Sequence, residues 1–187
     1  MLLIVSGIPL SAVHAPEMEV PMEVQFHLFL KMATFDRNLV SRVGDHVVIA
    51  VLYQSRYRPS LDAKDEFLKV MSESPVTLID GIPLSGVSVD LHETADLGQL
   101  LRDSEADAVY IAPLRAFEVD RITEVTRRLH IMSLSGITLY VEQGVSAGVG
   151  VRGERPEIVI NLTGARAEGI DFSSRLLNLA RVISNGR

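Results

Sequence analysis

The sequence predicts a single α/β domain with a mostly parallel central sheet and helices on both faces. Three observations carry this. Apolar, β-branched runs such as Val47–Tyr53 (VVIAVLY) and residues 108–112 (AVYIA) show no polar alternation, as strands covered on both faces require. Segments of helical periodicity lie between these runs, the order that places helices across a parallel sheet. No long linker, repeat or low-complexity tract divides the 187 residues, a length usual for one domain.

The elements follow in order. Residues 1–10 are almost wholly apolar and lead through Ser11-Ala12-Val13-His14-Ala15 to Pro16. Val13 and Ala15 stand three and one residues before a cut after Ala15, where a signal peptidase accepts small residues. The run is too short to span a bilayer. No Lys or Arg precedes it, so either the start is truncated or the true start lies upstream. A short buried first strand is the competing reading. The sequence is read as a signal peptide over residues 1–15 and a folded domain over 21–187.

Met22, Phe26, Phe29, Leu30 and Ala33 follow helical spacing, with Glu23, His27 and Lys31 as the polar stripe. This predicts a helix over 21–35, with Pro21 in its first turn. The helix is apolar over most of its circumference, so it needs cover on more than one side. A groove of the domain would supply it, and so would a partner or a second copy, with Phe26 and Phe29 as the contact. Beyond Val47–Tyr53, residues 61–72 read as a helix. Residues 76–79 and 87–91 read as strands bounded by Asp80-Gly81 and Ser85-Gly86 turn signals. Thr94 caps a helix to about residue 104, and Pro113 stops the strand at 108–112. Residues 117–131 form an amphipathic helix with Val119, Ile122, Val125 and Leu129 inward. Strands are expected at 137–142 and 157–162, and a last helix over 173–183 with Leu176, Leu179, Ala180 and Ile183 inward.

Composition excludes several functions. The net charge is -6, so no basic face is at hand to displace counterions from nucleic acid or to dock on anionic lipid. There is no cysteine, which removes disulfides, thiolate catalysis and Cys-type metal sites. Gly148-Val149-Gly150-Val151-Arg152-Gly153 matches G-x-G-x-x-G, but Pro156 and a strand follow where a dinucleotide fingerprint needs a helix N-terminus. The segment reads instead as a glycine-rich connection between two strands. No P-loop lysine and no G-x-S-x-G elbow occur. The five histidines, His14, His27, His46, His92 and His130, are not spaced as metal ligands. No catalytic residue, metal or cofactor is therefore predicted.

The C-terminal segment is more specific. Ile158-Val159-Ile160-Asn161-Leu162 leads into Thr163-Gly164-Ala165-Arg166-Ala167-Glu168-Gly169-Ile170, and then into Asp171-Phe172-Ser173-Ser174-Arg175-Leu176-Leu177-Asn178-Leu179-Ala180-Arg181-Val182-Ile183. This resembles the C-terminal signature of the YfiR-like family of bacterial periplasmic proteins. There, a strand ending in Ile-Asn-Leu is followed by an Ala-Arg-Ala-Gly turn and an S-S-R-L-L-x-L-A-R-V helix. The resemblance implies an exported, non-catalytic α/β protein that restrains a membrane-bound partner, a diguanylate cyclase or a sensor kinase. Control through thiols does not carry over, because this chain has none. A periplasmic small-molecule binding protein without a dedicated signalling partner is the alternative.

Within the signature, Asn161, Arg166, Ser173, Ser174 and Arg175 admit two readings. They cap turns and face solvent, with Asp171 or Ser173 as an N-cap. Alternatively, Asn161, Ser173, Ser174 and Arg175 converge at the carboxyl end of the sheet, where open α/β folds bind ligands. A guanidinium among hydroxyls there suits a carboxylate or phosphate.

Overall fold

A computed structural model describes residues 18–92, 96–115 and 119–184. The order of elements is α1 (Met22–Ala33), α2 (Leu39–Arg42), β1 (Val47–Tyr53), α3 (Arg58–Glu73), β2 (Leu78–Ile79), β3 (Ile82–Asp90), α4 (Leu97–Asp103) and β4 (Ala108–Ile111). There follow α5 (Val119–Leu129), β5 (Met132–Ser135), α6 (Thr138–Glu142), β6 (Ala147–Arg152), β7 (Arg155–Asn161), α7 (Leu162–Ala167), α8 (Ser174–Leu177) and β8 (Arg181–Ile183).

They build one sheet in the order β2-β3-β1-β4-β5-β6-β7-β8. Strands β3, β1, β4, β5 and β6 run parallel. The chain then reverses, so β7 is antiparallel to β6 and β8 is parallel to β7. The five parallel strands have the doubly wound order that starts centrally and steps out to both sides.

Alternate strand residues feed two cores. Val47, Ile49, Val51, Tyr110 and Leu134 point to one face, under α1 and α3. Ala50, Leu52, Val109 and Ile111 point to the other, toward α4, α5 and α6. Under α1 and α3, Phe67 stacks on Tyr110 at 4.3 Å between ring centroids, and Phe26 meets Phe67 edge-on at 5.6 Å. Among the described residues no helix is long and apolar enough to cross a membrane.

This arrangement corrects the expected role of the first helix. Phe26 and Phe29 are 0% and 1% exposed. Their rings fill the domain's own core, so neither offers a surface to a partner or a second copy.

Other expectations change too. Asp80-Gly81 does turn the chain, with Asp80 at φ 50° and Gly81 at φ 85°, but Ser85-Gly86 lies inside β3. There the missing Cβ of Gly86 makes room for Met71 and Leu68 of α3. In place of the strand expected at 137–142, Thr138–Glu142 form a helix, α6, and the strand is the preceding Met132–Ser135. Gly148 and Gly150 lie in β6 and are no loop; only Gly153, at φ 63°, turns the chain into β7. The C-terminal helix ends after a single turn, and Arg181–Ile183 joins the sheet as an edge strand. Leu179, expected inward, is 73% exposed. The cap of α4 is Asp96, which accepts from Gln99 N at 3.0 Å; Thr94, Phe117 and the proposed signal peptide lie outside the described residues.

Candidate functional site

The family-like signature gathers at the amino edge of the parallel strands. Because β7 is antiparallel to β6, its last residue, Asn161, sits beside Ser146 just before β6 begins, and Asn161 N donates to Ser146 O at 2.9 Å. The buried Asn161 side chain is an N-cap. Its Oδ1 accepts from Gly164 N at 2.9 Å, and its Nδ2 donates to Val141 O at 2.8 Å. The tripeptide that reads as Ala-Arg-Ala is therefore the end of a short helix, α7, with Arg166 exposed on it.

Glu168 follows that helix and is fully buried. Its carboxyl accepts from Thr126 Oγ1 at 2.6 Å, Ser133 N at 2.9 Å and Ser133 Oγ at 2.7 Å, and also from Ser146 Oγ. One side chain thus joins α5 to the starts of β5 and β6. Burial pushes this carboxyl up from the usual range, against the opposing pull of its hydroxyl and amide donors. Glu168 is not among the candidate site residues that the sequence suggests. The signal was indirect: a serine, Ser133, between Met132 and Leu134 in β5, and another, Ser146, just before β6.

A second junction ties the signature to the end of α1. The buried Asp36 accepts from Asn38 N and Asp171 N, both at 3.0 Å, and forms a 2.6 Å ion pair with Arg42. Arg42 Nη1 donates to His130 O at 3.1 Å, and Asn38 Nδ2 donates to Gly169 O at 2.9 Å. Asp36 and Phe172 form an antiparallel bridge. Ser173 N donates to Phe35 O at 2.9 Å, and the Arg175 guanidinium lies 5.9 Å from the Phe35 ring centroid. The expected convergence of Asn161 with Ser173, Ser174 and Arg175 at the carboxyl edge is thus corrected. Asn161 holds α6 and α7, whereas Ser173 and Arg175 meet Phe35 at the end of α1. Ser174 and Arg175 are exposed.

At the carboxyl edge, polar groups tie the strand-end loops to one another. Gln54 Oε1 accepts from Arg115 N at 2.8 Å, and Tyr140 Oη accepts from Leu114 N at 2.8 Å. Asp90 Oδ1 accepts from Ser55 N and His92 N.

The amino edge also carries an open crevice of about 610 Å³ between the ends of α2, α4 and α5. Arg42, His46, Asp107 and His130 are among its walls, so it adjoins the Asp36–Arg42 junction. Glu105 and His130 close it with left-handed backbone at φ 52° and 55°. That is the conformation that ends a helix before a strand, and glycine more often supplies it. Asp107 Oδ2 accepts from Val48 N at 2.9 Å. Burial raises its carboxyl above the ordinary range, opposed by the Val48 amide and the Arg42 charge. Among the described residues no three histidine or carboxylate side chains come together to hold a metal ion.

No curated protein matches the sequence. Among the solved structures that share the fold are the following three. One is the ABC domain in complex with L-Trp from Streptococcus pneumonia, with TM-score 0.62 and 17% identity over 87% of this chain and 60% of that one. Another is a conserved domain protein from Vibrio cholerae O1 biovar El Tor, with TM-score 0.59 and 14% identity over 87% and 60%. The third is the ligand-free, open structure of CD0873 from Clostridium difficile, a substrate binding protein with adhesive properties. Its TM-score is 0.59, with 14% identity over 89% and 61%. The chain spans about three fifths of the length of each, and at such identity the likeness is one of fold alone. At the level of sequence, residues 45–181, well over half of the chain, match the YfiR/HmsC-like family, which contains both junctions except for the Asp36 to Arg42 side of the second, and the chain belongs to that family.

Proposed function

We propose that the protein is a non-catalytic regulator of the periplasm that binds and restrains the sensing domain of a membrane-bound signalling protein, a diguanylate cyclase or a sensor kinase. The single observation that carries this reading is the family match over residues 45–181. Export would remove residues 1–15. Restraint works as a population shift: the regulator binds the inactive receptor more tightly than the active one, and the ratio of the two affinities sets how far output moves. Of the five signature residues singled out in the sequence, Arg166, Ser174 and Arg175 are exposed and are the proposed contacts, whereas Asn161 is a buried cap and Ser173 is half-buried beside Phe35.

The test is purification of the tagged protein from detergent-solubilised membranes of its host, with N-terminal sequencing and mass spectrometry. A stoichiometric membrane cyclase or kinase, lost on Arg166→Glu or Arg175→Glu, with a mature start at Pro16, is the expected result. A partnerless protein retaining Met1 overturns the reading. A second reading, a small-molecule binding protein, draws on the fold shared with a protein solved with L-Trp and with one described as substrate binding. A metabolite that raises Tm with no partner captured would favour it.

A further inference from the structure

We propose that the amino-edge crevice binds a small organic cation, an amine with an apolar body, with the carboxylate of Asp107 as its principal contact. The inference does not depend on the regulatory reading. It starts from the size and walls of the crevice. About 610 Å³ lies in the range of small-molecule sites. The apolar wall is the half-buried Val48 and Leu129, backed by the buried Leu101 and Ile131, a surface fit for a ring or an alkyl chain.

The sign of the ligand's charge follows from which charged walls are already used. Both guanidiniums are engaged: Arg42 with Asp36 and His130 O, and Arg102 Nη2 with Gln99 Oε1 at 2.9 Å. Among the described residues, the three carboxylates of the crevice, Asp45, Glu105 and Asp107, have no ion-pair partner. With Arg42 paired to Asp36, these three carboxylates face one uncompensated guanidinium, that of Arg102, so the walls carry net negative charge and favour a cation.

Asp107 makes the site directional. It is half-buried against the apolar wall, and its Oδ2 holds Val48 N, while Oδ1 has no hydrogen-bond partner among the described residues. A carboxylate partly removed from water, with one oxygen unbonded and the nearby Arg42 already committed to Asp36, is what a ligand ammonium, with its three N–H donors, would satisfy. Its raised carboxyl pKa has the same cause, loss of water without full compensation. A bare metal ion is a poor match, because no three ligating side chains come together here.

The experiment titrates 4-phenylbutylamine into the full chain by calorimetry, with 4-phenylbutyrate as the matched anion and amide NMR shifts to locate the site. The amine is expected to bind saturably at millimolar concentration, with shifts centred on Val48, Asp107 and Ile131, and the anion is not. Asp107→Asn keeps an acceptor for Val48 N and should weaken the amine about tenfold. If that variant fails to fold, the exposed Glu105→Gln takes its place, with a loss of about threefold. Equal binding of amine and anion, unchanged amine affinity in the folded variant, shifts centred elsewhere, or no amine binding would each overturn the proposal.

Discussion

Replacing Glu168 by glutamine tests the first junction. The carboxyl is buried among Thr126, Ser133 and Ser146, and no charged side chain is among the causes that shift it. Its folded pKa lies above the ordinary 4.5, because burial outweighs the four donors. A carboxyl raised on folding contributes stability that is fully present below the unfolded value and is lost as pH rises through the folded one. The protonated acid fits the pocket better than the carboxylate does. From about pH 4.5 upward, until the raised value is passed, wild-type stability should fall relative to Glu168→Gln by up to about 1.4 kcal/mol per pH unit.

Glutamine keeps the shape and one accepting oxygen, and its N–H groups find rotated Ser hydroxyls. Thr126 Oγ1 has a second acceptor in Thr123 O at 3.2 Å. At the acidic end the two proteins should therefore differ by only about 1 kcal/mol. Urea denaturation of both proteins at several pH values gives the difference, in which all other titrating groups cancel. A difference that does not vary with pH, or a wild type that gains on the variant as pH rises, would refute the reasoning.

Three further outcomes are expected. Phe29→Ala should cost about 3–5 kcal/mol in calorimetric unfolding, since it empties core beneath α1; lost partner binding at unchanged stability would contradict its burial. Gly148→Ala should cost about 1–3 kcal/mol by denaturant titration, because its Cβ would stand 2.6 Å from both Ser135 O and Val141 Cγ2. Asp36→Ala should cost about 3–5 kcal/mol by the same measurement, because it leaves the Arg42 guanidinium without its charge partner; a loss under 1 kcal/mol would show that water replaces the pair.

What could be read in the sequence was what strands and helices write along their own length. Val47–Tyr53 and Ala108–Ile111 are continuous apolar runs, and α1 and α5 carry helical periodicity, so each stood out alone. Three elements were hidden because their residues answer to neighbours. Met132–Ser135 looks too polar for a central strand until Ser133 is seen bonding Glu168 and Ser135 Oγ bonding Ile111 O at 3.0 Å. Gly148 and Gly150 suggest a loop, yet they are absent side chains that let α6 lie against β6. Thr138–Glu142 has strand-like composition but takes the short helix that this gap accepts. The C-terminal run has sound helical periodicity, and pairing Val159–Asn161 with Arg181–Ile183 overrides it. The site was legible as a sequence signature and not as a place, because the reversal at β7 that carries Asn161 to the amino edge leaves no mark beyond Gly153.

The Asp36–Phe172 bridge has a bearing on how the chain acquires its structure. The contact spans 135 residues from Asp36 Oδ1 to Asp171 N, and α1 packs on β6 across a similar interval. Contacts of such separation must overcome loop-closure entropy before they are rewarded, which slows folding. The first described helix is thus finished late: its aromatic face must wait for strands far along the chain. During that interval Phe26, Phe29 and Met32 form an exposed hydrophobic segment, the kind that chaperones bind. Unfolding should begin at the same seam, with the amides of α1 exchanging hydrogen ahead of those in β1 and β4.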